Sequence, residues 1–117
     1  MLNKIKAALE TFDLPVHYGK VPKVTGEYNF FVFNRARVKK GGTSGCDFNY
    51  YYRIGLVMEN YIPEGFEIDV IKKIKEATGM RLADGDILFE YVFKDNTELV
   101  CEMAVIEFTK TVKGCNV

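Results

Sequence analysis

The run from Leu99 to Lys110 constrains this chain more than any other. Leu99, Cys101, Met103 and Val105 fall on one side of an extended strand, and Val100, Ala104, Ile106 and Phe108 on the other. A strand that is apolar on both sides has to be covered on both sides, so the pattern predicts a central strand in a sheet. Ile87 to Lys94 precedes it as a second strong strand. Asp95-Asn96-Thr97 between them is a short polar connection suited to a hairpin.

A second pair of strands lies upstream. Asn29 to Lys39 opens with Phe30-Phe31-Val32-Phe33 and then alternates, with Arg35, Arg37 and Lys39 on one face and Ala36 and Val38 on the other. Asp47 to about Tyr61 returns with Tyr50-Tyr51-Tyr52 and an apolar continuation to Met58. The glycine-rich stretch between them spans residues 39–47 and reads as the flexible tip of a long hairpin. Val16 to Lys20 is a further short strand, followed by a loop marked by Val21-Pro22 and Thr25-Gly26.

Two helices complete the pattern. Leu2, Ile5, Leu9 and Phe12 recur at helical spacing, and Leu14-Pro15 ends that helix. Pro63 to Thr78 carries Phe66, Val70, Ile71, Ile74 and Ala77 on one stripe. Its acidic residues sit early and its lysines late, which complements the helix dipole, and Gly79 suits a left-handed cap. Met80-Arg81-Leu82-Ala83 reads as a short extended piece, closed by Asp84-Gly85-Asp86 as a tight reversal. The predicted fold is α+β: a mainly antiparallel sheet of about five strands with two helices packed on it, in the order α-β-β-β-α-β-β. Residues 1–117 form a single domain, with a loose tail over 111–117.

Composition removes several function classes. The chain holds 16 basic and 16 acidic residues, so its net charge of zero gives no long-range attraction to nucleic acid. Hydrophobic residues make up 48%, enough for a real core and against disorder. No apolar run approaches the roughly 20 residues that span a bilayer, so no membrane partner is expected. The opening Met-Leu-Asn-Lys-Ile-Lys interleaves charges and does not read as a signal peptide. Cys46, Cys101 and Cys115 are odd in number and lack Cys-x-x-Cys spacing, so a reduced intracellular chain is expected. Cys101 reads as a core residue, and Cys46 and Cys115 as exposed.

Catalytic and metal signatures fail on spacing. His17 is the single histidine, and Asp13 is its only local partner in sequence, so an exposed strand-end imidazole is the simpler reading. Asp84-Gly85-Asp86 lacks the later oxygen ligands of a calcium loop. Lys40-Gly41-Gly42-Thr43-Ser44-Gly45 places its lysine before the glycines and leads into a strand, which a phosphate loop does not do. No catalytic residue, cofactor or metal site is expected. Arg35, Arg37, Lys39 and Lys40, with Tyr50 and Tyr52 on the returning strand, form the candidate interface. Its plain reading is a solvated hairpin face, and a protein partner with an acidic patch suits it better than RNA or DNA.

The layout also resembles the tail-terminator, or tail-to-head joining, proteins of long-tailed bacteriophages and prophages. The residues that carry the likeness are the Leu2-to-Phe12 helix, Leu14-Pro15-Val16-His17-Tyr18-Gly19, Phe30-Phe31-Val32-Phe33-Asn34-Arg35 and the tyrosine strand from Asp47 to Met58. They continue with the helix through Ile74 and Lys75, the segment Gly79-to-Asp86 and the ending Ala104-Val105-Ile106-Glu107-Phe108. The resemblance implies a structural, non-catalytic protein of the virion, assembled in the host cytoplasm. Such proteins form a ring, usually of six subunits, that caps the tail tube, stops its growth and meets the head connector. The implied partners are further copies of the chain, the major tail tube protein and a head connector or completion protein. Nucleic acid is not expected beyond DNA passing through the ring. The alternatives are a head-completion or connector protein, or a small bacterial binding module using the aromatic and basic hairpin. A hairpin tip that orders on docking is expected to tolerate shortening of residues 41–45 in its fold but not in tail joining.

Overall fold

The computed structural model describes residues 1–21, 26–41, 47–83, 85–94 and 96–113. Helix α1 spans Leu2–Glu10, and strands β1, β2 and β3 span Val16–Tyr18, Phe30–Gly41 and Asp47–Glu59. Helix α2 spans Phe66–Thr78, followed by β4 at Arg81–Leu82, β5 at Leu88–Phe93 and β6 at Val100–Lys113. The fold is α+β with a mixed six-stranded sheet in the order β1-β2-β3-β6-β4, and β5 also pairs with β6. Every pairing is antiparallel except that of β1 with β2. The additional strand relative to the expected five is β4, two residues long, within the Met80-to-Ala83 piece read as extended but not counted among the strands.

Both helices cover one face of the sheet. Phe31 and Phe33 of β2, Ile54 and Leu56 of β3, and Ala104, Ile106 and Phe108 of β6 form one buried cluster with Ile5, Leu9, Val70 and Ile74 of the helices. The alternation predicted for β6 is correct, and β6 does lie inside the sheet, between β3 and the β4–β5 edge. Its cover is not two-sided along its length. The face away from the helices is closed near Cys101, where Phe30, Val57 and Cys101 bury against Val21, Tyr28 and Met103, and again at Thr109, which is buried. Farther along that face Val105 is half-buried and Leu88 is exposed.

Element ends show which local forces prevailed. Helix α2 starts three residues later than Pro63 suggested. Phe66 N–H donates to Pro63 O in a turn, and Gly65 at φ 87° stands outside the helical region. Its far end follows the sequence: Gly79 takes φ 72° and its N–H caps Lys75 O. Helix α1 ends at Glu10, where the N–H groups of Thr11, Phe12 and Asp13 bond to Ala8, Leu9 and Glu10 O three residues back and Asp13 takes φ 59°. Strand β3 stops at Glu59, before the predicted Tyr61, because Asn60 adopts φ 68°.

Two expectations about the edges are corrected. The chain direction does not reverse between Leu82 and Leu88, because β4 and β5 both run antiparallel to β6 and so continue in one direction. Residues 83–87 intervene between Leu82 and Leu88, where β6 has only Ile106 and Glu107 between the partners of those two residues. Asp84 itself lies outside the described residues. Residues 111–113, predicted as part of a loose tail, belong to β6 instead, since Thr111, Val112 and Lys113 pair with Asn49, Phe48 and Asp47. Residues 114–117 lie outside the described residues, as do 42–46 of the predicted flexible tip.

The second buried cluster is fastened by one carboxylate. Glu59 Oε1 accepts from Lys94 Nζ at 2.7 Å and from Tyr28 N–H at 3.0 Å, while Glu59 N–H donates to Asn29 Oδ1 at 3.0 Å. The bond from Lys94, then that from Tyr28, holds the Glu59 carboxyl below its ordinary range. A carboxyl lowered in the folded state contributes stability above its unfolded pKa and loses it as pH falls through the folded value. Glu59→Gln is therefore expected to lower the urea midpoint at neutral pH, with the gap to wild type closing as the solution is acidified. A gap that stays constant down to acid pH would contradict the assignment.

Candidate functional site

The candidate interface residues divide between two faces. Register shifts between Arg35 and Arg37, so Arg35 opposes Tyr52 while Arg37 opposes the adjacent Tyr51. Ala36 is the bulge residue, and side chains beyond it change sides. The expected single strip of Arg35, Arg37 and Lys39 is thereby broken. Arg35 faces the helix side, with Val38 and Lys40; Arg37 and Lys39 face the opposite side.

On the open face Arg37 is held in place. Its guanidinium lies 4.0 Å over the Tyr51 ring and 2.7 Å from Glu107 Oε1, and Arg53 approaches the other oxygen of Glu107 at 3.5 Å. These contacts orient Arg37 along the sheet and leave it little freedom to meet a partner.

On the helix side, rows of side chains run across β2, β3 and β6. Val38, Tyr50 and Lys110 share one row, and Lys40, Phe48 and Val112 the next. Val38, Phe48 and Val112 are exposed, so an apolar surface lies at the hairpin end with Lys40 and Arg35 beside it. Lys110 Nζ donates to Thr78 O at 3.0 Å, which ties this surface to the end of α2. Arg35 Nε donates to the Tyr18 hydroxyl at 3.2 Å. Tyr50 is half-buried, whereas Tyr52 is only 7% exposed and belongs to the core. Tyr52 nevertheless lines a shallow pocket with Arg35 and Tyr50, beside Met1, Leu2 and Asn3, and burial is the main reason its hydroxyl pKa is raised.

A second surface, which the sequence did not single out, lies at the other end of the same face. An open groove is lined by Tyr61, Ile62, Glu64, Glu67, Phe89, Tyr91 and Glu102. Phe89, Tyr91 and Phe93 project from β5 on the helix side, where the start of α2 brings Glu67 to the groove without covering them, and Tyr91 is 63% and Phe93 66% exposed. Glu102 Oε1 accepts the Ile62 N–H at 2.8 Å. Its carboxylate also hydrogen-bonds the Tyr91 hydroxyl, raising the pKa of that group. The sequence did show β5 as a strand. It did not show that this strand lies at an edge, because its apolar content is that of an interior one.

His17 packs edge-on against Phe30 at 5.8 Å, with no hydrogen bond or ion pair to Asp13 among the described residues. Cys101 is free and buried, and burial pushes its thiol pKa up. Cys46 and Cys115 lie outside the described residues. Among the described residues no three His, Cys, Asp or Glu side chains gather to hold a metal ion, and no helix is long and apolar enough to cross a membrane. No protein-family model matches the chain, and a search of curated proteins returns no match.

Proposed function

We propose that this chain is a structural subunit of a long-tailed phage or prophage: a tail terminator that closes the tail tube as a ring, six copies by the resemblance, and joins it to the head without catalysis. The observation that carries the reading is β5. All of its residues from Leu88 to Phe93 are exposed, five of them large and apolar, along a sheet edge. An apolar edge left open in this way invites a partner, because it offers unpaired backbone groups and uncovered side chains together. A ring subunit needs two distinct contact surfaces of this kind, one for each neighbour. The exposed hairpin end supplies the second. The partners in this reading are further copies of the chain, the major tail tube protein and the head connector.

The test is genetic and structural. Deleting the coding sequence from the genome that carries it is expected to leave filled heads and unjoined tails, with tube growth no longer stopped. Supplying the chain in trans restores joining, and cryo-EM of restored virions places it as a ring at the head-proximal end of the tail. Normal virions from the deletion strain would overturn the reading.

A further inference from the structure

The two exposed ends of the helix-side face are opposite in charge. At the hairpin end, each charged side chain in the rows Arg35–Tyr52–Phe108, Val38–Tyr50–Lys110 and Lys40–Phe48–Val112 is basic. In the groove beside β5, each charged lining residue is a glutamate: Glu64, Glu67 and Glu102. Both surfaces have an exposed apolar centre, Val38, Phe48 and Val112 in one and Phe89 and Tyr91 in the other. The chain's zero net charge therefore conceals a separation of charge along one sheet face.

We propose that the basic hairpin end of one copy seats in the acidic aromatic groove of a second copy, head to tail. A chain cannot satisfy both surfaces by itself. Val112 and Glu102 lie on the same strand, roughly 33 Å apart at the usual strand rise, and the molecule is 52 Å long. A symmetric contact of groove with groove would set glutamates against glutamates, and hairpin with hairpin would set lysines against lysines. Like charges at close range disfavour both and leave the heterologous contact. Repeated head-to-tail contacts close into a ring when the rotation between copies permits it. The identification of the second copy as a ring neighbour rests on the tail-terminator reading; the contact itself can be tested without it.

The experiment uses two variants of the full chain, kept reduced, in sedimentation velocity and native mass spectrometry over rising concentration. Val38→Glu/Lys40→Glu spoils the hairpin end, and Glu64→Lys/Tyr91→Lys spoils the groove. All four positions are exposed, and unchanged circular dichroism checks the fold. If either double variant fails to fold, the single changes Lys40→Glu and Glu64→Lys replace it. Wild type is expected to associate with concentration, and each variant alone to bind itself at least about tenfold more weakly. An equimolar mixture should associate again, beginning with a dimer that pairs one intact hairpin end with one intact groove. A monomeric wild type, a mixture that does not dimerise, or a hairpin variant that still self-associates would each overturn the contact. Rings on virions built from either variant would sink the contact and leave the tail reading standing. A dimerising mixture from a chain absent from virions would do the reverse.

Discussion

Phe31→Ala is expected to remove about 3–5 kcal/mol of folding stability, measured as the shift in the urea unfolding free energy. That is a large part of the roughly 5–15 kcal/mol that holds a domain together. Phe31 is 0% exposed, and its ring stands 5.8 Å from Phe12 and 6.4 Å from Phe66. Phe12 follows α1 and Phe66 begins α2, so one ring on β2 joins both helices to the sheet. The backbone there is also committed: Phe31 N–H donates to Pro15 O at 2.8 Å, and Phe31 pairs with Leu56. A truncated side chain could be filled only by shifting both helix ends at once, and that coupling places the cost toward the upper part of the range. A loss below about 1 kcal/mol, on the scale of a surface substitution, would mean that Phe12 and Phe66 collapse onto each other and that Phe31 is not the joint described.

The fold was readable where a side-chain period ran unbroken for several turns or pleats. The stripe Val70, Ile71 and Ile74 gave α2 its buried face, and the Leu99-to-Phe108 alternation gave β6 its two sides. What escaped the sequence depended on events of one residue. The bulge at Ala36 carries no turn residue to mark it, yet it sends Arg35 and Arg37 to opposite faces and divides the candidate interface. The groove was missed for a different reason. Leu88-Phe89-Glu90-Tyr91-Val92-Phe93 has the composition of an interior strand, and only the third dimension reveals that the start of α2 borders this strand without covering it. Local composition records what a strand could bury, and the rest of the fold decides what it does bury. A mismatch between the two therefore marks a surface left for contact.

The two buried threonines allow the same physics to be tested with opposite signs. Thr78 is 3% exposed; its hydroxyl donates to Ile74 O at 2.6 Å and accepts the Met80 N–H at 3.1 Å. Thr78→Val keeps the shape but strands a donor whose residue is itself buried, at a cost of about 1–3 kcal/mol. Thr109 is equally buried, and its Oγ1 has no hydrogen-bond partner among the described residues. It pays the desolvation penalty in the wild-type fold already, so Thr109→Val is expected to stabilise, by up to about 1 kcal/mol. Both changes are isosteric and both keep a β-branched side chain, so differences in strand or helix preference stay small beside the hydrogen-bond effect. Thermal or urea unfolding of the two variants side by side should displace them in opposite directions from wild type. A destabilised Thr109→Val would show that this hydroxyl is satisfied in solution, and two equal losses would show that packing, not hydrogen bonding, governs both sites.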